Sequence, residues 1–402
     1  MNNQKQDRRH FIKTSLTTAA VASVFPAAVN SSHGISTIEG QIIKRKLGRT
    51  GIELPIVSMG AGDTDNPKLV EAALDNGIRL LATSAYYGNG NNELMIGEIL
   101  KNRKREDVII MTSALSAGVD HKNGIYTEEA TKEDWLKKID GNLERLGVDQ
   151  IDIWVLPFAA KRESVFYEPL LSAMVEIKKS GKAKYLAIAT HSWEPEALTA
   201  AADTGVYDVV MTAYNFRRSN LEELNKAISY AANKGLGIIA MKTMAGVYWD
   251  KERTKPINTR ASLKWVLQNP DIHTTVPGFT SFDQLQQNLE IMKDISLSEE
   301  ELKDLKITNK DTAFGIYCQQ CAQCIDQCRA GIDIPTLMRS YMYAYGYKNL
   351  RKAKQTIDLS GIEGNPCADC QTCKVNCTMR FDVKSKITDI ARLREVPDEF
   401  LV

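Results

Sequence analysis

Residues 209–241 read VVMTAYNFRRSNLEELNKAISYAANKGLGIIAM, and this stretch decides the fold. Residues 209–212 and 237–241 are short apolar runs of strand length. Between them Asn220 stands as a helix N-cap, Glu223 follows three residues on as its capping-box partner, and Leu221, Leu224, Ala227, Ile228 and Ala231 share one helical face. The unit is strand, amphipathic helix, strand, the arrangement that parallel strands require because only a crossover can join them.

The unit recurs along the chain. Further β-rich runs lie at residues 55–59, 79–82, 108–112, 151–156, 185–189 and 273–276. The helix after the first run opens at Asn66-Pro67 and closes at Gly77, with an N-cap, a proline in the first turn and a glycine stop. Eight apolar strands separated by amphipathic helices predict an α/β fold, a (β/α)8 TIM barrel over residues 35–306. A doubly wound open sheet is the alternative, but no glycine fingerprint follows the first strand.

Beyond the barrel, from residue 307 to 402, all eight cysteines of the chain fall into two copies of one pattern. Cys318, Cys321, Cys324 and Cys328 repeat as Cys367, Cys370, Cys373 and Cys377, each run reading C-x2-C-x2-C-x3-C. This is the spacing by which bacterial-type ferredoxins hold [4Fe–4S] clusters. Eight ligands serve two clusters. A zinc ribbon would use separated C-x2-C pairs, and a disulfide framework has no reason to repeat a four-cysteine spacing. Between the runs, residues from Ile334 through Tyr341, Tyr343, Tyr345 and Tyr347 look helical, as do residues 351–356, so this small ferredoxin-like domain is expected to be mainly helical.

At the other end Arg8 and Arg9 open RRHFIK, followed by an uncharged run from Thr14 to Val29. Residues 1–34 resemble a twin-arginine export signal, which places the protein in the periplasm or outside the cell, with the signal cleaved or kept as an anchor. The run is too short and polar for a convincing membrane span, and no other span is expected. A chain that acquires iron–sulfur clusters before export needs a route for folded proteins, so the two ends agree. The whole chain is nearly balanced, with a net charge of +1 over 402 residues. No basic stripe marks a nucleic-acid partner.

The barrel sequence resembles the aldo/keto reductase superfamily. Leu47-Gly48-Arg49-Thr50-Gly51, Gly77-Ile78, Tyr87-Gly88-Asn89-Gly90 with Glu93 and Gly97, Arg145-Leu146-Gly147-Val148-Asp149 with Ile151-Asp152, and Pro277-Gly278 with Leu285 and Asn288 carry the resemblance. It is closest to the branch with a C-terminal ferredoxin-like extension. The resemblance implies proton donation by a tyrosine whose pKa a lysine lowers, with an aspartate holding the lysine and a histidine orienting substrate. Tyr87 matches the tyrosine. The aspartate, lysine and histidine positions are Ala82, Ser113 and Pro157.

Two other strand-end groups offer replacements. Lys242, after the seventh strand, is expected across the mouth from Tyr87 as the missing positive charge. His191, after the fifth, offers an acid, base or substrate hydrogen bond. Tyr86 and Tyr87 are adjacent, so in an extended chain only one faces the mouth. Arg217, Arg218, Tyr248 and Trp249 either line a cleft or pack on the cysteine-rich domain. The resemblance also implies a nicotinamide dinucleotide, NAD(H) or NADP(H), along Pro277, Gly278 and Asn288. Residues 278–284 lack the arginine or lysine that clamps a 2′-phosphate, and Met241 stands where a tyrosine usually stacks on nicotinamide. The expected function is an exported iron–sulfur oxidoreductase acting on a small carbonyl, alcohol or sugar-like substrate, with a redox partner protein. The alternative is a lapsed barrel that binds without catalysis while the clusters transfer electrons for a partner.

Overall fold

The computed structural model describes residues 41–306 and 315–401; the export segment expected at residues 1–34 lies outside them. Eight strands follow one another: β1 Met59–Gly60, β2 Leu80–Ala82, β3 Ile109–Ser113, β4 Ile151–Pro157, β5 Ala183–Thr190, β6 Val209–Ala213, β7 Gly237–Met241 and β8 Thr274–Thr275. Each pairs in parallel with the next. Sheet order follows chain order without the reversal a doubly wound sheet shows. The two edges meet through parallel bridges from Val57 to Thr275 and from Gly60 to Gly278. The result is a near-closed (β/α)8 barrel with helices between its strands.

The first strand differs from expectation. The run at 55–59 is divided between β1 and a short segment, Glu53–Pro55, that pairs antiparallel with Lys44–Lys46. This hairpin carries Leu47 and Leu54 into the barrel interior, where they join Leu80, Met111, Ile153 and Ile239. Interior residues recur at alternate positions, Ile109 with Met111 and Ile153 with Val155, because a strand turns every second side chain to one face. The hairpin turn needs Gly48. Its φ is +48°, and a Cβ there would lie 2.4 Å from the backbone nitrogen of Gly237.

Several residues that carry the family resemblance brace the barrel. Glu93 is fully buried; it accepts from Thr112 Oγ1 at 2.6 Å, Asn142 Nδ2 at 2.6 Å and Arg145 Nε at 2.7 Å. Asp152 accepts from Arg105 and Lys184 and from the backbone N–H of Ile110. Each carboxylate thereby ties strands to their neighbours, and each is paired as burial demands. The capping box expected at Asn220 does not form. Asn220 precedes the helix Leu221–Asn233, but its side-chain oxygen accepts from Arg218 Nε at 3.2 Å and caps nothing. A nearby guanidinium has taken the acceptor that the local rule assigned to the helix.

The cysteine-rich region is helical, as expected: Ile334–Tyr345, Leu350–Asp358 and Val383–Ala391. The described residues form one compact unit, and the core of the helical region takes in Ala245 from the loop after β7. The helix Ile334–Tyr345 is buried nearly all round, which marks it as sandwiched. Its tyrosines sort by spacing. Tyr341 and Tyr345, four apart, pack with tilted rings at 4.5 Å on one side, while Tyr343 and Tyr347 pair at 6.2 Å on the other, toward the barrel. Among the described residues no helix is long and apolar enough to cross a membrane.

Candidate active site at the barrel mouth

The C-terminal strand ends open into a cavity of about 550 Å³, a size typical of ligand sites. Ala82, Ser113 and Pro157 all line it, at the ends of β2, β3 and β4. Tyr87 lines it from the turn after β2, and so does Tyr86. The expectation that only one of the pair faces the mouth fails because Tyr86 is not extended: its φ of −83° and ψ of −13° bend the chain and bring the two rings to 4.4 Å. Burial, the largest influence, raises the Tyr87 phenol, while Lys352 and a hydrogen bond with Tyr86 pull it back.

The cation beside Tyr87 comes from the helical region. Lys352 Nζ lies 5.1 Å from the centre of the Tyr87 ring and donates to Asp63 Oδ1 at 2.6 Å. Burial works against this ammonium, but the charge of Asp63 outweighs it and raises the lysine. Asp63 follows β1 and is held below the usual carboxylate range, as Lys352 overcomes the opposing effect of burial. Neither residue carried a recognisable sequence signal.

Lys242 follows β7 with a left-handed φ of +57°, and its carbonyl accepts from Asn215 Nδ2 at 3.0 Å. The side chain reaches the mouth, where Nζ donates to the phenol oxygen of Tyr343 from the helical region. Burial lowers the lysine. Burial raises Tyr343, yet the charges of Lys242, Lys352 and Arg339 together bring its phenol below the ordinary value. His191 also lines the cavity; burial first, then Arg339 and Lys242, hold it well below the usual imidazole range, so it is neutral. Arg217 and Arg218 turn away from the cleft. Arg218 makes two bonds to Glu194, at 2.8 and 2.6 Å, and one to the carbonyl of Gln319, and Arg217 stacks on Trp249 and Tyr317.

Pro277, Gly278 and Asn288 line the same cavity. Asn288 Nδ2 donates to Gln284 O at 2.8 Å. Arg253 lines it too; Nη2 donates to Tyr248 Oη at 3.2 Å, while Nη1 is buried and has no hydrogen-bond partner among the described residues. A cavity of this size with an orphaned guanidinium nitrogen fits a dinucleotide and its phosphates.

The eight cysteines form two sets of four that cross between the runs. Cys318, Cys321 and Cys324 share a cavity with Cys377, and Cys367, Cys370 and Cys373 share another with Cys328. All eight are free of disulfides. No three such side chains among the described residues converge tightly enough to hold a single ion, whereas a cube with iron at four corners meets thiolates set farther apart. Burial pushes Cys324 up to about 12 and Cys367 to about 11, so thiolates need the positive charge of iron to form. The arrangement fits [4Fe–4S] ligation. Cys318 also lines a small chamber with His191, Lys242 and Arg339, which sets the first group beside the mouth.

The sequence profile of the Aldo/keto reductase family matches residues 60–261. The chain belongs to this family. A 4Fe-4S dicluster domain matches residues 317–382, so this aldo/keto reductase carries an iron–sulfur domain behind its barrel and is an oxidoreductase. Among relatives, an uncharacterized oxidoreductase of Bacillus subtilis, YqkF, is 24% identical over 307 residues, 67% of this chain and 98% of the relative. The L-galactose dehydrogenase of Arabidopsis thaliana is 25% identical over 312 residues, 65% of this chain and 92% of the relative. An aldo-keto reductase from Bacillus halodurans in its holo form shares the fold with a TM-score of 0.55 at 19% identity, over 66% of this chain and 95% of that one.

Proposed function

We propose that this aldo/keto reductase oxidises or reduces a small carbonyl, alcohol or sugar-like substrate at the barrel mouth, with the family's tetrad reduced to Tyr87 and its cation and carboxylate re-supplied by Lys352 and Asp63. The observation that carries this reading is the Lys352 ammonium, packed on the Tyr87 ring and tied to Asp63. Tyr87 hydrogen-bonds the reacting oxygen and holds the proton that oxygen gains or loses. Lys352 stabilises negative charge on the phenol as the proton moves, and Asp63 fixes the ammonium in place. His191, neutral and beside the same cavity, orients a substrate hydroxyl. A relative named for L-galactose is in keeping with a sugar-like substrate.

A nicotinamide dinucleotide along Pro277, Gly278, Asn288 and Arg253 would supply hydride chemistry, and two [4Fe–4S] clusters on the crossed cysteine sets would supply single electrons. Export through the twin-arginine route and exchange with a redox partner protein complete the proposal. The test is anaerobic purification followed by titration with NADH and NADPH, reading protein fluorescence for binding and the visible cluster band for reduction, then turnover on a panel of alcohols and aldehydes. Nucleotide binding with turnover that Lys352→Met removes supports the reading. Turnover in Lys352→Met equal to wild type would overturn the assignment.

A further inference from the structure

Tyr87 and Tyr343 face one cavity from opposite domains, and a single ammonium serves both. Lys352 Nζ lies 5.1 Å from the Tyr87 ring centre and 5.0 Å from that of Tyr343, so the two rings stand within about 10 Å of each other. Their surroundings differ in charge. Tyr343 accepts from Lys242 Nζ, has that ammonium 4.3 Å from its ring centre, and feels Arg339 as a third cation. Tyr87 has Lys352 alone, shared with Asp63, and otherwise meets the phenols of Tyr86 and Tyr343. Two further phenols stand beside Tyr343: Tyr347, 6.2 Å away, and Tyr86, which lines the same cavity.

The cations around Tyr343 lack enough carboxylate. One carboxylate, Asp63, bonds Lys352 and also bears on Lys242, whose side chain among the described residues bonds a phenol, and buried Arg339 bonds the neutral side chains of Gln320 and Thr336. Buried positive charge without a counterion is costly, and an ionised Tyr343 relieves it. Tyr87, raised by burial, keeps its proton. Two titratable groups driven apart beside one cavity make an acid and a base. His191, held well below the usual range, is too weak a base to compete.

We propose that Tyr343 is a general base working opposite Tyr87 as general acid, and that the pair gives the mouth a second, redox-neutral activity, the enolisation of a sugar-like α-hydroxy carbonyl. The phenolate oxygen of Tyr343 takes the proton from the carbon next to the carbonyl. The C–H electron pair becomes a carbon–carbon double bond, the carbonyl π pair moves to oxygen, and that oxygen takes the proton of Tyr87. The product is an enediol, no electrons leave the substrate, and the protons return to either carbon. Negative charge passes from Tyr343 to Tyr87 and is beside Lys352 before and after. The inference rests on the reading of the mouth as a carbonyl and alcohol site, but needs no dinucleotide and no cluster.

The experiment incubates the full chain in D2O with dihydroxyacetone, glyceraldehyde or fructose, without nicotinamide or reductant, and follows α-carbon deuteration by NMR. Wild type should exceed the buffer rate with at least one sugar, and Tyr343→Phe and Tyr87→Phe should each lower the excess by about 10²-fold or more, as expected for loss of acid–base catalysis. The visible cluster band reports that the variants are folded. Ultraviolet difference titration should show a phenol ionising below the usual pH of about 10, absent in Tyr343→Phe and moved upward in Lys242→Met. Exchange at the buffer rate with all three sugars, exchange undiminished in Tyr343→Phe, or the absence of an early-titrating phenol would each overturn the proposal. Nicotinamide-linked turnover without exchange would remove this activity and leave the oxidoreductase reading standing; exchange without such turnover would do the reverse.

Discussion

Lys352 Nζ donates to Asp63 Oδ1 at 2.6 Å across 289 residues of chain. The bond ties the helix Leu350–Asp358 to the turn after β1 and delivers to the barrel mouth a cation that no barrel strand end places beside Tyr87. The electrostatics of the barrel mouth therefore depend on the docking of the iron–sulfur domain.

Lys352→Met should lower kcat/KM by about 10²-fold or more, because the Tyr87 phenol loses the charge that favours its ionised form. Its pKa should rise further, moving the alkaline limb of the pH–rate profile to higher pH. Asp63→Asn should also lower kcat/KM, by releasing the ammonium from its place, although loss of the carboxylate charge by itself lowers the Tyr87 phenol, and Lys352→Met with Tyr87→Phe should be little worse than either alone. Steady-state kinetics in which Lys242→Met reproduces Tyr87→Phe while Lys352→Met does not would return the role to Lys242.

Cys377→Ser should damage the cluster held with Cys318, Cys321 and Cys324, although Cys377 belongs to the second run. Cys328→Ser should damage the set of Cys367, Cys370 and Cys373. Iron content and electron paramagnetic resonance of reduced protein would decide. If Cys377→Ser and Cys373→Ser lose the same signal, ligation does not cross between the runs.

Stability should fall in mild acid through buried histidines. Burial, then Arg339, disfavours the charged forms of His121, lowered to about 3, and of His191. The unfolded chain binds protons below a pH of about 6.5 that the folded chain refuses, so stability present above that pH is lost as pH drops. Thermal melts between neutral and mildly acidic pH should show a smaller fall for His191→Gln than for wild type. An identical slope would mean that His191 takes up a proton in the folded protein.

Changing Arg8 and Arg9 to Lys should retain the protein in the cytoplasm with its clusters assembled, since the export signal is an address and not part of the fold. Cell fractionation with unchanged distribution would remove the export proposal.

The limits of the sequence show at particular residues. Asn220 and Glu223 satisfy a local capping rule, yet Arg218 takes the Asn220 side chain. Tyr86 and Tyr87 were separable by alternation only in an extended strand, and the chain bends there. Arg217 and Arg218, ambiguous between cleft and domain contact, resolved toward contact because a buried guanidinium needs acceptors, and Glu194 and Gln319 supply them to Arg218.

The sequence by itself determined the barrel, because strand and helix periodicities are local and repeat eight times, and it determined the ligand type of the iron–sulfur domain, because thiolate spacing is written along a few residues. Through the family resemblance it also pointed to Tyr87, Pro277, Gly278 and Asn288, which line the mouth. Only the tertiary structure decided the electrostatics. Lys352, Asp63 and Tyr343 carry no signal in one dimension: a lysine in an amphipathic helix, an aspartate in a turn and one tyrosine among four. The fold brings them together where water is excluded, and there the charge of each sets the proton affinity of the others.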